Sequence, residues 1–188
     1  ELGAVRMSTV MRQVRAFLDA HPREVLAMVV EDYVPAERAR DVLDRAGLGP
    51  MLLAVDTRAP LPTLGTMIDT GTRVLVALEN GDGGPTLPNA FAGLVEETPF
   101  SFLRASDLRA SSSCVANRGL PGSPIFQLNH WVTPARRRGS SEVNGSVLRA
   151  RVDHCTDVRR RAPTLVAVDF AEHGDLLAVV RDLNRASS

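Results

Sequence analysis

Three stretches of this chain run apolar at nearly every position and then stop at a polar group. They are "VLAMVVED" (25–32), "RVLVALEN" (73–80) and "TLVAVDF" (164–170). A strand without polar alternation needs cover on both faces, which is the habit of parallel sheets under helices. A fourth run, "IFQLNHW" (125–131), follows the same plan. Helical periodicity fills the intervals. Met7, Val10, Met11, Val14, Phe17 and Leu18 predict a helix over roughly 4–20. Residues 35–46 predict a helix from Pro35 to Gly47, and Thr63 and Gly71 bracket a short one as cap and stop. Residues 141–160 and the spacing of Leu176, Val179, Val180 and Leu183 predict two more. Strand and helix alternate, so the class is α/β with a parallel sheet. No linker interrupts the pattern, and 188 residues are read as a single domain, 1–188.

Side chains alternate along a strand, which sorts each run into two faces. Leu26, Met28 and Val30 oppose Ala27, Val29 and Glu31; Val74, Val76 and Leu78 oppose Leu75, Ala77 and Glu79. Phe126 and Leu128 oppose Ile125, Gln127, Asn129 and Trp131; Val166, Val168 and Phe170 oppose Leu165, Ala167 and Asp169. One face is uniformly aliphatic. The other is mixed and ends in a polar group. A closed (β/α)8 barrel asks for this, with functional groups at the C-terminal rim, so the expected fold is a barrel of that type.

Charge excludes little by sign, because basic and acidic residues balance at 22 each. No global field favours nucleic acid. Every basic residue is Arg, which base composition explains as well as function does. No apolar run reaches the roughly 18–20 residues of a membrane span. The chain opens without Met on "ELGAVRMSTVMRQVRAFL", already inside an amphipathic pattern, and reads as a fragment or processed product. Cys114 and Cys155 are the only cysteines, too few for a zinc site. One disulfide and two separate buried thiols are both open. "NGS" (144–146) meets the glycosylation pattern but lies in a predicted helix.

The order of "FLDAHPREVLAMVVED", "LPTLGTMIDTGTRVLVALEN", "NRG", "IFQLNHW" and "APTLVAVDFAEHGDLLAVVRDLN" resembles the bacterial phosphatidylinositol-specific phospholipase C X-domain-like family. That family belongs to the TIM-barrel phosphodiesterases. The resemblance implies a barrel whose first strands are missing here, this chain giving the C-terminal two-thirds. It implies phosphoric diester cleavage of a phosphoinositide-like lipid, with two histidines as base and acid. None of His21, His130, His154 and His173 maps onto that pair. His130 has outward parity and is expected to be structural. The implied site is Asp169 as a catalytic orienting group, with Asn129, Trp131, Glu79 and Arg136 on substrate. Glu31 stands where metal-dependent members ligate Ca²⁺. Arg136–Arg138 are expected on the active-site side, where phosphate or an anionic membrane surface meets them; Arg159–Arg161 are expected in solvent. An exported location follows from the resemblance, and with it a Cys114–Cys155 disulfide. The alternative is a non-catalytic module that binds a ligand or lipid headgroup with the same rim.

Overall fold

The computed structural model describes residues 5–31 and 33–186. The chain forms two compact units, Glu1–Ala92 and Gly93–Ser188.

The N-terminal unit is built on burial of aliphatic side chains. Helix α1 (Met7–Ala20) buries Met11 and Leu18 and half-buries Met7 and Val14. Val10 and Phe17, also in phase, stay partly exposed, and Phe17 lies on the His21 ring with centroids 4.6 Å apart. Arg73 closes the end of α1. Its buried guanidinium donates to the carbonyls of Leu18 at the helix end and of His21 and Glu24 in the turn that follows, at 3.0–3.1 Å. Strands β1 (Leu26–Val30) and β2 (Val74–Leu78) pair in parallel, Leu26 opposite Val74 and Val30 opposite Leu78. Helix α2 (Ala36–Arg45) lies between them in sequence, as does α3 (Leu64–Thr70). The Thr63 hydroxyl accepts from the Thr66 amide, and Gly71 ends α3 in the left-handed region, as the sequence predicts. Leu26, Met28, Val30, Val74, Val76 and Leu78 share one face and pack with Met11, Leu18 and Leu43. That is the predicted aliphatic face.

The C-terminal unit carries β3 (Val95–Glu97), β4 (Ile125–His130) and β5 (Leu165–Val168) in one parallel sheet, order β3-β4-β5. Between β4 and β5 runs a helical stretch. It starts as one turn, α4 (Ser140–Glu142), loosens to a π-type turn over Val143–Val147 with a break at Gly145, and continues as α5 (Leu148–Arg159). Helix α6 (Leu176–Ala186) follows β5. Leu128, Val166 and Val168 face Leu148, Val152 and Val179, which again follows the parity. Cys114 and Cys155 are joined by a disulfide, so the 111–114 turn is tied to α5.

The barrel expectation is wrong. Among the described residues the strands form two separate parallel sheets, of two and three strands, and neither closes. The architecture is mixed α/β with open sheets. Two-sided strands alternating with helices are common to open sheets and barrels alike. The pattern dictates parallel connections but does not dictate that the last strand returns to the first. No described helix is long and apolar enough to cross a membrane.

Candidate functional site

The second sheet buries charge instead of excluding it. Glu96 and Glu97 are neighbours on β3, so their side chains leave on opposite faces. Glu97 accepts from Arg118 Nε at 2.5 Å and from Asn129 Nδ2 at 2.9 Å. Asn129 Nδ2 also donates to the Thr98 carbonyl, and its Oδ1 accepts from Gln127 Nε2 at 2.7 Å. Both ends of that amide are therefore committed within the protein. The "NRG" stretch has a backbone reason. Arg118 bridges Glu97 antiparallel, and Gly119 sits at φ +89°, where a Cβ would lie 1.9 Å from the Val95 carbonyl oxygen. On the other face Glu96 pairs with Arg159 at 2.7 Å and Arg161 at 3.3 Å, and both guanidiniums lie over the Phe126 ring. The expectation that these two arginines are solvated is corrected: a buried carboxylate draws them in.

Past the C-terminal ends of β4 and β5 lies a cavity of about 280 Å³. Ligands of open parallel sheets bind at such strand ends. Trp131, one residue beyond β4, and Asp169, one residue beyond β5, both line it. Arg136 and Arg138 line it from the following loop, and Leu103 and Arg104 from the loop after β3. The exposed side chains of Arg104, Arg136 and Arg138 have no partner among the described residues. Burial raises the Asp169 carboxyl above its ordinary value, and no ion pair among the described residues offsets that.

The loop holding Asp169 is anchored by Asn144. Its buried Nδ2 donates to the carbonyls of Asp169 at 2.8 Å and Phe170 at 3.2 Å, with Phe170 at φ +55°. Its own carbonyl accepts from the Asp175 amide. Asn144 is 1% exposed, so the "NGS" asparagine is a loop anchor and not an acceptor for sugar in the folded chain.

Arg137 is held away from ligand. It pairs with Glu172 at 2.9 Å, donates to His173 Nε2 at 3.2 Å and covers the Phe170 ring. An arginine only donates, so His173 Nε2 accepts and its proton sits on Nδ1. Nδ1 then donates to Ser140 Oγ at 2.5 Å, and Ser140 sends its own proton to the Arg137 carbonyl at 2.7 Å. This is a closed ring of structural bonds; the serine is not activated. His130 is equally occupied. Nε2 donates to the Val143 carbonyl at 2.9 Å, Nδ1 faces Arg151, and burial lowers its pKa to about 4.

The predicted site residues therefore divide. Asp169, Trp131 and Arg136 share one cavity. Asn129 lies beneath, locked in the Glu97 network. Glu31 and Glu79 follow β1 and β2 in the other unit, where Tyr33 donates to Glu31 and is raised in pKa, first by that bond and then by the two carboxylates. Among the described residues no three or more His, Cys, Asp or Glu gather to hold a metal. Sequence reasoning missed Arg104, Phe170 and Asn144. Only Asn144 carried a signal, as the asparagine of the "NGS" pattern inside a predicted helix.

The family model of PI-PLC X 1 matches residues 1–115, more than half of the 188. The chain belongs to the PI-PLC X family. A fungal relative, PI-PLC X domain-containing protein 1 of Arthroderma benhamiae, is 26% identical over 198 residues, covering 95% of this chain and 64% of its own. This PI-PLC X chain thus spans less than two thirds of that relative's length. No solved structure matches it. The cavity lies past residue 115 apart from Leu103–Ala105, so the family match and the site overlap little.

Proposed function

We propose that this chain recognises the phosphodiester headgroup of a phosphoinositide-like lipid, as the binding part of a phospholipase C-like phosphoric diester hydrolase. One observation carries the reading: Arg104, Arg136 and Arg138, whose side chains have no partner among the described residues, line one cavity with Trp131 and Asp169. Arg104, Arg136 and Arg138 take the phosphate oxygens. Trp131 stacks on the ring, and Asp169, easily protonated for a carboxylate, bonds a ring hydroxyl. Glu79 belongs to the other unit and does not line this cavity, and Asn129 holds the end of β4 through Glu97 and Thr98. Exposed Leu103, at 73%, offers a peripheral membrane contact beside the arginines. The disulfide favours an exported location. Residues 1–188 act as one domain in this reading. In a metal-dependent form Glu31 would offer a carboxylate to Ca²⁺ within the N-terminal unit.

Cleavage needs a base and an acid in reach of substrate. His130 and His173 have both nitrogens committed. The chain alone is therefore expected to bind without turnover, which also favours the second reading, a non-catalytic binding module. Phosphatidylinositol vesicles, with Ca²⁺ and with chelator, separate the outcomes. Binding without released inositol phosphate is the expected result. Turnover would place the missing acid and base within this chain, and absence of binding would end the headgroup reading.

A further inference from the structure

Arg151 of α5 heads the fully buried side chains by size, at 1% exposure, and among the described residues no carboxylate pairs with it. All its partners there are neutral. It donates to the Asn129 carbonyl, to the Ser113 carbonyl at 2.8 Å and to Ser113 Oγ at 3.2 Å. Weaker contacts reach Thr98 Oγ1 and His130 Nδ1 at 3.4 Å, and the guanidinium lies 4.8 Å from the Phe102 ring centroid. Burial alone lowers its pKa, to about 10. A buried cation without an anion is costly, and an apolar side chain would fill the same volume more cheaply. Something other than packing keeps it there.

The segments it joins supply the answer. Asn129 and His130 end β4, and the next residue is Trp131. Phe102 is buried, and the next residues are Leu103 and Arg104. Both successors line the cavity. We propose that Arg151 is a positioning residue for this cavity, clamping the end of β4 to the 102–104 loop so that Trp131 and Arg104 face a common anionic ligand. Only a planar fork with five donors can bond carbonyls on two segments while lying flat on a ring. A lysine keeps the charge and loses that geometry.

This proposal rests on the headgroup reading above. The probe is myo-inositol 1-phosphate, and the signal is the emission of Trp131, the sole tryptophan. Arg151→Lys, folded by circular dichroism and unchanged in net charge, is expected to shift Trp131 emission to longer wavelength. It is also expected to weaken the probe about tenfold, the loss of roughly one charge-assisted hydrogen bond. A purely electrostatic role would leave the lysine variant at full affinity, and a purely structural one would move the melting temperature but not the affinity of the folded protein. Phe102→Leu, which leaves Arg151 in place, decides the matter if the position-151 variant fails to fold; a several-fold weakening is expected. Wild-type emission and affinity in either folded variant overturn the proposal alone. No binding by wild-type protein overturns the headgroup reading and this proposal together.

Discussion

The two units share a sequence plan and hold themselves together differently. In the N-terminal unit β1 and β2 meet their helices through Leu, Met and Val, and the buried cation Arg73 serves carbonyls at and just past the helix end. In the C-terminal unit the sheet itself carries Glu96, Glu97, Asn129 and His130, all buried, and α5 adds Arg151 and a disulfide. Aliphatic burial is non-directional and tolerates small shifts. Buried polar networks are demanding, because each unmet partner costs, but they fix geometry closely. The cavity belongs to the demanding unit. Precision where ligand is met, and plain burial elsewhere, is the lesson of the pair.

The largest contrast is expected from Glu96→Ala. It strands Arg159 and Arg161 and should lower stability by about 3–5 kcal/mol, followed by Trp131 emission in urea. Leu78→Ala in the other unit should cost about 2–5 kcal/mol by cavity formation. Hydrogen exchange of Val74–Leu78 should report that loss with no change in salt dependence. Removing the disulfide by Cys114→Ser with Cys155→Ser is expected to cost about 2–4 kcal/mol. Exchange should speed in α5 and leave β1 and β2 unchanged; equal loss in both units would erase the contrast.

Acidification should act on the same unit. Folded His130 titrates near pH 4, against about 6.5 unfolded, so between those values the unfolded chain binds a proton that the folded one refuses. Stability is fully present above about pH 6.5, falls as pH drops toward 4, and levels below; the loss is at most about 3 kcal/mol. His130→Gln should flatten that part of the urea midpoint profile. Asp169 works in the opposite sense. Its raised carboxyl favours the folded state at low pH, and that smaller contribution disappears as pH rises through its folded value. The smallest effect belongs to Thr63→Ala, about 1 kcal/mol for one lost helix cap in the N-terminal unit.

Much of this was legible. Period-two faces placed Leu128 and Val166 on helices, and Thr63 and Gly71 marked α3 to the residue. The outward parity of His130 foretold a structural imidazole. Four things were not legible. Sheet closure depends on which edges meet, and no local pattern encodes that. Arg159 and Arg161 read as surface charge because their partner Glu96 lies over sixty residues away. Arg104 joins the cavity only through the path of the loop after β3, and Arg151 looks like any helical arginine until Ser113, Asn129 and Phe102 surround it.

One titration decides whether the ends of β4 and β5 form an anion site beside Trp131. Titrate myo-inositol 1-phosphate into wild-type protein and into a variant with both Arg136→Gln and Arg138→Gln, following Trp131 emission at low and moderate salt. Wild type should show a saturable change that weakens with salt. The variant should lose about tenfold to a hundredfold in affinity at unchanged melting temperature, as two charge-assisted contacts disappear. Saturable binding of equal strength in both proteins would rule out an arginine-built anion site.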